Sequence, residues 1–182
     1  REWGYPAVFS AVAVEGIGVP APGQTLLMAG ALLAGRGELS LPAVLATAFA
    51  ATVLGNAAGY EIGRRGGRPL LLRFARPEVL ARIEGWFRKS DAAVVGLGRF
   101  VDGARQLNGL AAGAFGMEPR RFHLASLLGA VLWTGFWGLG AFLFGRDFDV
   151  VARWVHGTRG ILLTAAALAS VVLLLWLFLR RR

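Results

Sequence analysis

Three long stretches of this chain contain no Asp, Glu, Lys or Arg, and they constrain its fold more than any other feature. They cover residues 39–60, 122–145 and 160–179, and a helix needs about 20 apolar residues to cross the hydrocarbon core of a bilayer. Of the 182 residues, 55% are hydrophobic and 17% are charged, whereas a soluble domain carries roughly 25% charged residues. The sequence therefore predicts an all-α integral membrane protein in which residues 1–182 form a single membrane domain.

The composition also excludes several classes of function. The chain contains no cysteine, so disulfides, thiolate metal sites and cysteine nucleophiles are excluded. The net charge is +9. The basic residues flank apolar spans, which favours anionic lipid headgroups over nucleic acid as the partner. The two histidines, His123 and His156, fall on opposite predicted sides of the membrane, and the GxSxG, HExxH and GxxxxGK[ST] motifs do not occur. We therefore expect no metal, no cofactor and no enzymatic activity.

The first apolar region, residues 3–35, is interrupted by Pro20, Pro22 and Gly23. Proline removes a backbone donor and glycine frees the backbone, so a straight helix is disfavoured. At 1.5 Å per residue, neither half is comfortable as a complete crossing. The pattern predicts a re-entrant helical hairpin, followed by a transmembrane helix over residues 39–60.

Residues 61–91 are rich in charge, and their apolar residues recur at helical spacing. The apolar face consists of Val79, Leu80, Ile83, Trp86 and Phe87, opposite Arg82, Glu84 and Arg88. This spacing predicts an amphipathic helix at the membrane surface. A small soluble loop domain is the alternative.

Residues 92–117 are apolar but contain Arg99, Asp102 and Arg105 among several glycines. We interpret them as a second re-entrant hairpin, followed by transmembrane helices over residues 122–145 and 160–179. The last of these is leucine-rich and is predicted to be an anchor.

The two halves of the chain resemble each other. Met28–Ala31 precedes a span that ends Ile62-Gly63-Arg64, and Ala111–Ala114 precedes a span that ends Phe144-Gly145-Arg146. Each unit is a hairpin plus one crossing, so the second unit is predicted to be inverted relative to the first, an arrangement typical of transporters. Counting basic residues puts residues 61–91 in the cytoplasm. Chance similarity of Ala/Gly-rich helices is the alternative.

Three charged residues within apolar hairpins are the candidate functional residues. Each charge at membrane depth costs roughly 2.5–3.5 kcal/mol, so Glu15, Arg99 and Arg105 are predicted to face a polar cavity or one another. Arginine binds phosphate through planar, bidentate hydrogen bonds, and Glu15 could take and release a proton. A structural ion network that includes Asp102 is the alternative.

Several further residues are predicted to support this site. Gln24 follows the Pro-Gly break, and Gly103 interrupts the second hairpin. Asn56 and Tyr60 share one helical face, where helix packing is the alternative role. Trp133 either lines the cavity or packs between helices.

Several ordered motifs over residues 5–146 resemble the DedA (VTT-domain) membrane-protein family. The motifs are Glu15-x4-Pro20-x-Pro22-Gly23, Gly55-Asn56-x3-Tyr60-x-Ile62-Gly63-Arg64, Arg99-Phe100-x2-Gly103-x-Arg105 and Gly129-Ala130-x2-Trp133. The resemblance implies a multi-pass lipid transporter of the bacterial inner membrane, driven by the proton motive force, with Glu15, Arg99 and Arg105 essential. The chain departs from the family pattern at Gln24 and Asn56, where acids are frequent, and at Asp102, where proline is frequent.

We therefore expect a flippase or scramblase for undecaprenyl phosphate or another anionic, phosphate-bearing lipid. A non-transporting scaffold or regulator that holds anionic lipid on residues 64–89 is the alternative, and an ion channel ranks third. The sequence leaves open the lipid, the direction of transport, the coupling ion and whether the protein forms a homo-oligomer.

Overall fold

Helices account for all the regular secondary structure in the described part of the chain, which comprises residues 3–73, 76–101 and 104–146 of a computed structural model. The elements are α1 (Gly4–Gly16), α2 (Gly23–Gly35), α3 (Leu41–Leu71), α4 (Pro77–Leu97), a 3-10 turn (Gly98–Phe100), α5 (Ala104–Ala114) and α6 (Pro119–Arg146). The all-helical prediction is confirmed for these residues. The predicted helix over 160–179, and Asp102 and Gly103, lie outside them.

Two of the helices are long and apolar enough to cross a membrane, Leu41–Gly67 and Pro119–Arg146. The first continues beyond Tyr60, where the charge-free stretch ends. Glu61 Oε1 lies 3.7 Å from Nη1 of Arg64, which is three residues later in the helix. Ion pairs at this spacing stabilise exposed helices. The helical conformation is interrupted at Gly67, whose φ of 57° favours glycine, and α3 resumes after this kink as far as Leu71. The charge-free stretch therefore marks the apolar part of the helix rather than its end.

The helices α1 and α2 form an antiparallel hairpin joined by residues 17–22. Gly23 of α2 lies against Val12 of α1. Gly30, seven residues further along α2, lies against Val8. Gly18 in the connection has a φ of 108°, a conformation that side chains rarely adopt. The break thus falls where the two prolines predict it.

The helix α4 contains a break at Ser90, where φ is −164° and ψ is 85°. Before the break the helix is amphipathic, but only part of the predicted apolar face is buried: Leu80 and Phe87 are buried, whereas Val79 and Trp86 are about half exposed. The predicted five-residue face is wider than the stripe that α5 covers. After the break, Asp91 is the last charged residue of α4, which continues to Leu97 and pairs with α5, with Asn108 Nδ2 donating to Val95 O at 2.7 Å.

The helix α3 packs between α1 and α5 through glycines. Gly16 of α1 lies against Gly55, and a Cβ at Gly16 would be 2.8 Å from the Gly55 carbonyl carbon. On the α5 side, Gly63 and Gly113 lie against opposing backbone. Small residues allow membrane helices to approach this closely, and the two hairpins are thereby held against one central helix.

Candidate functional site

The first part of the site joins the two hairpins. Glu15, in the last turn of α1, is 3% exposed, and Arg105 Nη2 donates to its Oε1 at 2.6 Å. The other terminal nitrogen of Arg105 donates to Gln24 Oε1, at the beginning of α2. One guanidinium from α5 is therefore held by both helices of the first hairpin. A side chain at Gly23 would collide with the Glu15 carboxylate, which explains the glycine there.

The second part of the site is organised by Ser126 on α6. Its Oγ accepts hydrogen bonds from Arg99 Nη2 at 3.0 Å and from Asn56 Nδ2 at 3.1 Å. Arg99 is 4% exposed, and its Nε has no hydrogen-bond partner among the described groups. Gly129 makes room for it, since a Cβ there would be 3.2 Å from that Nε. Among the described residues, no carboxylate lies within salt-bridge distance of Arg99.

A small cavity lies between these two parts. Its volume is about 20 Å³, which is room for about one water molecule. Glu15, Arg99, Arg105 and Trp133 contribute to its lining, and so does Thr52, which sequence reasoning did not single out. The Thr52 hydroxyl and the Trp133 indole N–H are buried without a hydrogen-bond partner in the described part of the chain. These two groups could therefore form hydrogen bonds with a polar ligand atom or a water molecule in the cavity.

Trp133 also contacts the basic side of the site. The Arg105 guanidinium carbon lies 5.6 Å from the centroid of its ring, within the range of a cation–π interaction. Trp133 also packs in an apolar cluster with Val8, Val12 and Leu27, so it takes part both in the cavity lining and in helix packing.

Tyr60 lies apart from the cavity. Its hydroxyl donates to Met117 O at 2.6 Å, and its ring stacks on Phe122 with centroids 4.4 Å apart. Both contacts fix α3 against the loop and helix that follow α5. The packing role considered for Tyr60 is therefore the one observed.

The electrostatics of the site follow from these members. Two guanidiniums and one carboxylate give the described cluster a formal charge of +2 − 1 = +1. The described residues contain no group of three or more His, Cys, Asp or Glu that could hold a metal ion. A buried cluster with excess positive charge suits an anion, because desolvated guanidiniums bind anions through charge-assisted hydrogen bonds.

Fold and site first define a class: a membrane protein whose apolar helices bury a net-positive polar cluster. The family follows from comparison with known proteins. Residues 21–143 match the VTT domain, and the chain belongs to this family, to which the DedA proteins belong. The sequence resemblance is thus confirmed.

Three of the relatives are named as membrane proteins of bacteria. The uncharacterized membrane protein slr0232 of Synechocystis sp. is 35% identical over all of this chain and 87% of its own length. The uncharacterized membrane protein Rv2637 of Mycobacterium tuberculosis is 31% identical over 92% of this chain and 79% of its own. YbfM of Bacillus subtilis is 23% identical over 72% and 85%, respectively. No solved structure gave a significant match.

Proposed function

We propose that this protein moves an anionic, phosphate-bearing lipid across the bacterial inner membrane, without chemical change to the lipid. Undecaprenyl phosphate, which the family resemblance implies, is the first candidate. One observation carries the proposal: among the described residues, the buried Arg99 and the partly buried Arg105 of the second hairpin share the site with one carboxylate, that of Glu15 in the first. Burying charge among apolar helices is costly, and an anionic headgroup would compensate the excess.

In this proposal Arg99 and Arg105 hold the phosphate. Their planar guanidiniums suit bidentate bonding to phosphate oxygens. A phosphate group is larger than the water-sized cavity, so the lipid enters only when the two hairpins move apart. That movement separates Arg105 from Glu15, and a proton on Glu15 favours the separation because it neutralises the carboxylate. Proton binding and headgroup binding are thereby coupled.

We further propose that the two units are inverted repeats, with the hairpins re-entrant from opposite faces, because such repeats allow alternating exposure of a site between them. A reciprocal packing supports this arrangement. Gly63, near the end of the helical part of α3, lies against Leu110 of the second hairpin, and Gly145, at the end of α6, lies against Leu32 of the first. Each long helix thus ends on the other unit's hairpin. Such an exchange is what a pseudo-twofold axis produces.

The test is reconstitution into vesicles with labelled lipids of different headgroups. We expect transbilayer movement of undecaprenyl phosphate or phosphatidylglycerol to exceed that of phosphatidylcholine. Arg99→Lys and Arg105→Lys keep the charge but lose the planar fork, so each should slow movement at least tenfold. The control is Arg82→Lys, an exposed arginine on α4, which should behave as wild type. Equal rates in all four proteins would refute the proposal.

The same vesicle experiment distinguishes lipid transport from the scaffold alternative. Exposed basic residues between 64 and 89, such as Arg73 and Arg76, could hold anionic lipid without moving it. Binding of phosphatidylglycerol vesicles without transbilayer movement would favour that function.

A further inference from the structure

We propose that an apolar groove between α4 and α5 holds the hydrocarbon tail of a membrane lipid, with the lipid phosphate at Lys89. The groove has a volume of about 380 Å³, within the usual range for ligand pockets. It lies outside the arginine site, although Gly98 of its wall directly precedes Arg99. The proposal rests on the proposed function for the role of the bound lipid, but binding in the groove can be measured without transport.

The lining of the groove combines one charged side chain with many apolar ones. Lys89 and Ser90 line it at the break in α4, where the charged, amphipathic half of that helix ends. The lining residues after Ser90, which include Val94, Leu97 and Val101, carry no charge. One cationic side chain on an otherwise apolar lining matches an anionic lipid, whose phosphate and tail differ in the same way.

The apolar wall of the groove needs a cover. The exposed fractions of Trp86, Leu97 and Val101 are 51%, 61% and 58%, so the described helices leave these large side chains open. On a membrane protein, exposed apolar side chains face lipid tails, and these three also line a concave groove that one tail can fill. In a membrane protein a lipid tail supplies that cover, and the lysine selects a negative headgroup because a basic residue near the membrane surface attracts anionic lipid.

The experiment measures lipid retained by the purified full chain with native mass spectrometry. Phosphatidylglycerol and phosphatidylcholine with identical acyl chains are the added probes. Ala93→Trp fills the groove, because Ala93 lies in its wall. Ala92→Trp, one residue earlier and exposed outside the groove, is the matched control. We expect one retained phosphatidylglycerol in wild type, at least a tenfold loss in Ala93→Trp and no loss in Ala92→Trp.

A second pair of variants tests the headgroup contact without adding bulk. Lys89→Ala should reduce the preference for phosphatidylglycerol over phosphatidylcholine about fivefold, the factor expected for one basic residue near an anionic lipid. Arg82→Ala, on the same helix but outside the groove, should leave the preference unchanged. Lys89 is exposed, so its variant remains informative if Ala93→Trp does not fold.

Three results would overturn the inference. The first is unchanged retention in Ala93→Trp together with unchanged preference in Lys89→Ala. The second is equal loss in Ala93→Trp and Ala92→Trp. The third is wild-type protein that retains no lipid, with Ala93→Trp lowering the melting temperature or splitting a dimer, since another part of the chain or a second copy would then fill the groove. Groove binding without transport would instead refute only the proposed function.

Discussion

The contact between α3 and α5 leaves no room for a methyl group. A substitution there should therefore change the free energy of unfolding by a predictable amount. A Cβ at Gly113 would abut Tyr60 O and lie 2.7 Å from Arg64 N and 3.0 Å from Tyr60 C. Real Cβ atoms essentially never lie within 3.0 Å of such neighbours. The obstructing atoms are backbone, so no side chain can rotate away. Gly113→Ala must therefore push the two helices apart.

The magnitude follows from two opposing effects. Overpacking a close contact costs about 1–3 kcal/mol. Alanine in place of glycine within a helix gains up to about 1 kcal/mol when nothing obstructs it. Gly140 of α6 is such a position, since a Cβ there would meet nothing within 4 Å. Gly113→Ala and Gly140→Ala should therefore differ by about 1–4 kcal/mol in the free energy of unfolding.

The assay is thermal unfolding of both variants in the same detergent, followed by tryptophan fluorescence. At 2–4 °C per kcal/mol for a chain of about this size, the melting temperatures should differ by roughly 2–16 °C. Gly140→Ala should melt at or above the wild-type temperature, and Gly113→Ala below it. If the two variants melt together, α3 and α5 do not approach as closely as the structure has them, and the reasoning fails.

Three other perturbations probe the remaining contacts. Tyr60→Phe keeps the ring stack but loses the bond to Met117 O, and calorimetry should find it about 1 kcal/mol less stable. Glu15→Gln removes the carboxylate of a buried ion pair, and chemical denaturation should show a free energy of unfolding lower by up to about 3–5 kcal/mol. In vesicles, transport by the same variant should no longer depend on a pH gradient. Single cysteines at Ala21 and Phe100, in this cysteine-free chain, should react with an impermeant reagent from opposite faces of the membrane, and labelling from one face would contradict the inverted arrangement; Phe100 is exposed and lies outside the groove.

The breaks between helices are readable from sequence, because proline and glycine act locally. Pro20 and Pro22 predict the interruption that separates α1 from α2. The end of α3 is not readable from the end of the uncharged stretch, since the ion pair of Glu61 with Arg64 supports further helical turns. The charged residues report the polarity of the surroundings. The long part of α3 ends where the backbone conformation changes, at the Gly67 kink.

The site is readable from sequence only in part. A charged residue in an apolar stretch is conspicuous, which makes Glu15, Arg99 and Arg105 candidates. Their pairing is not readable, because either arginine could reach Glu15 until α5 is placed against the first hairpin. Ser126 gives still less signal, since serine is common in membrane helices. Its importance comes from the distance between α6 and two other elements, which no local pattern reports.

The close glycine contacts and the polar site depend on each other. A polar group inside a bilayer cannot turn to water, so its partner must lie within about 3 Å in the protein itself. Gly55 brings the end of α1 against α3, and Gly109 brings α5 against Asn56 of the same helix. Both hairpins therefore meet α3 within one turn, which is how Glu15 and Arg105 form a 2.6 Å contact although 90 residues separate them. A substitution that parts these backbones should consequently weaken the site as well as the fold.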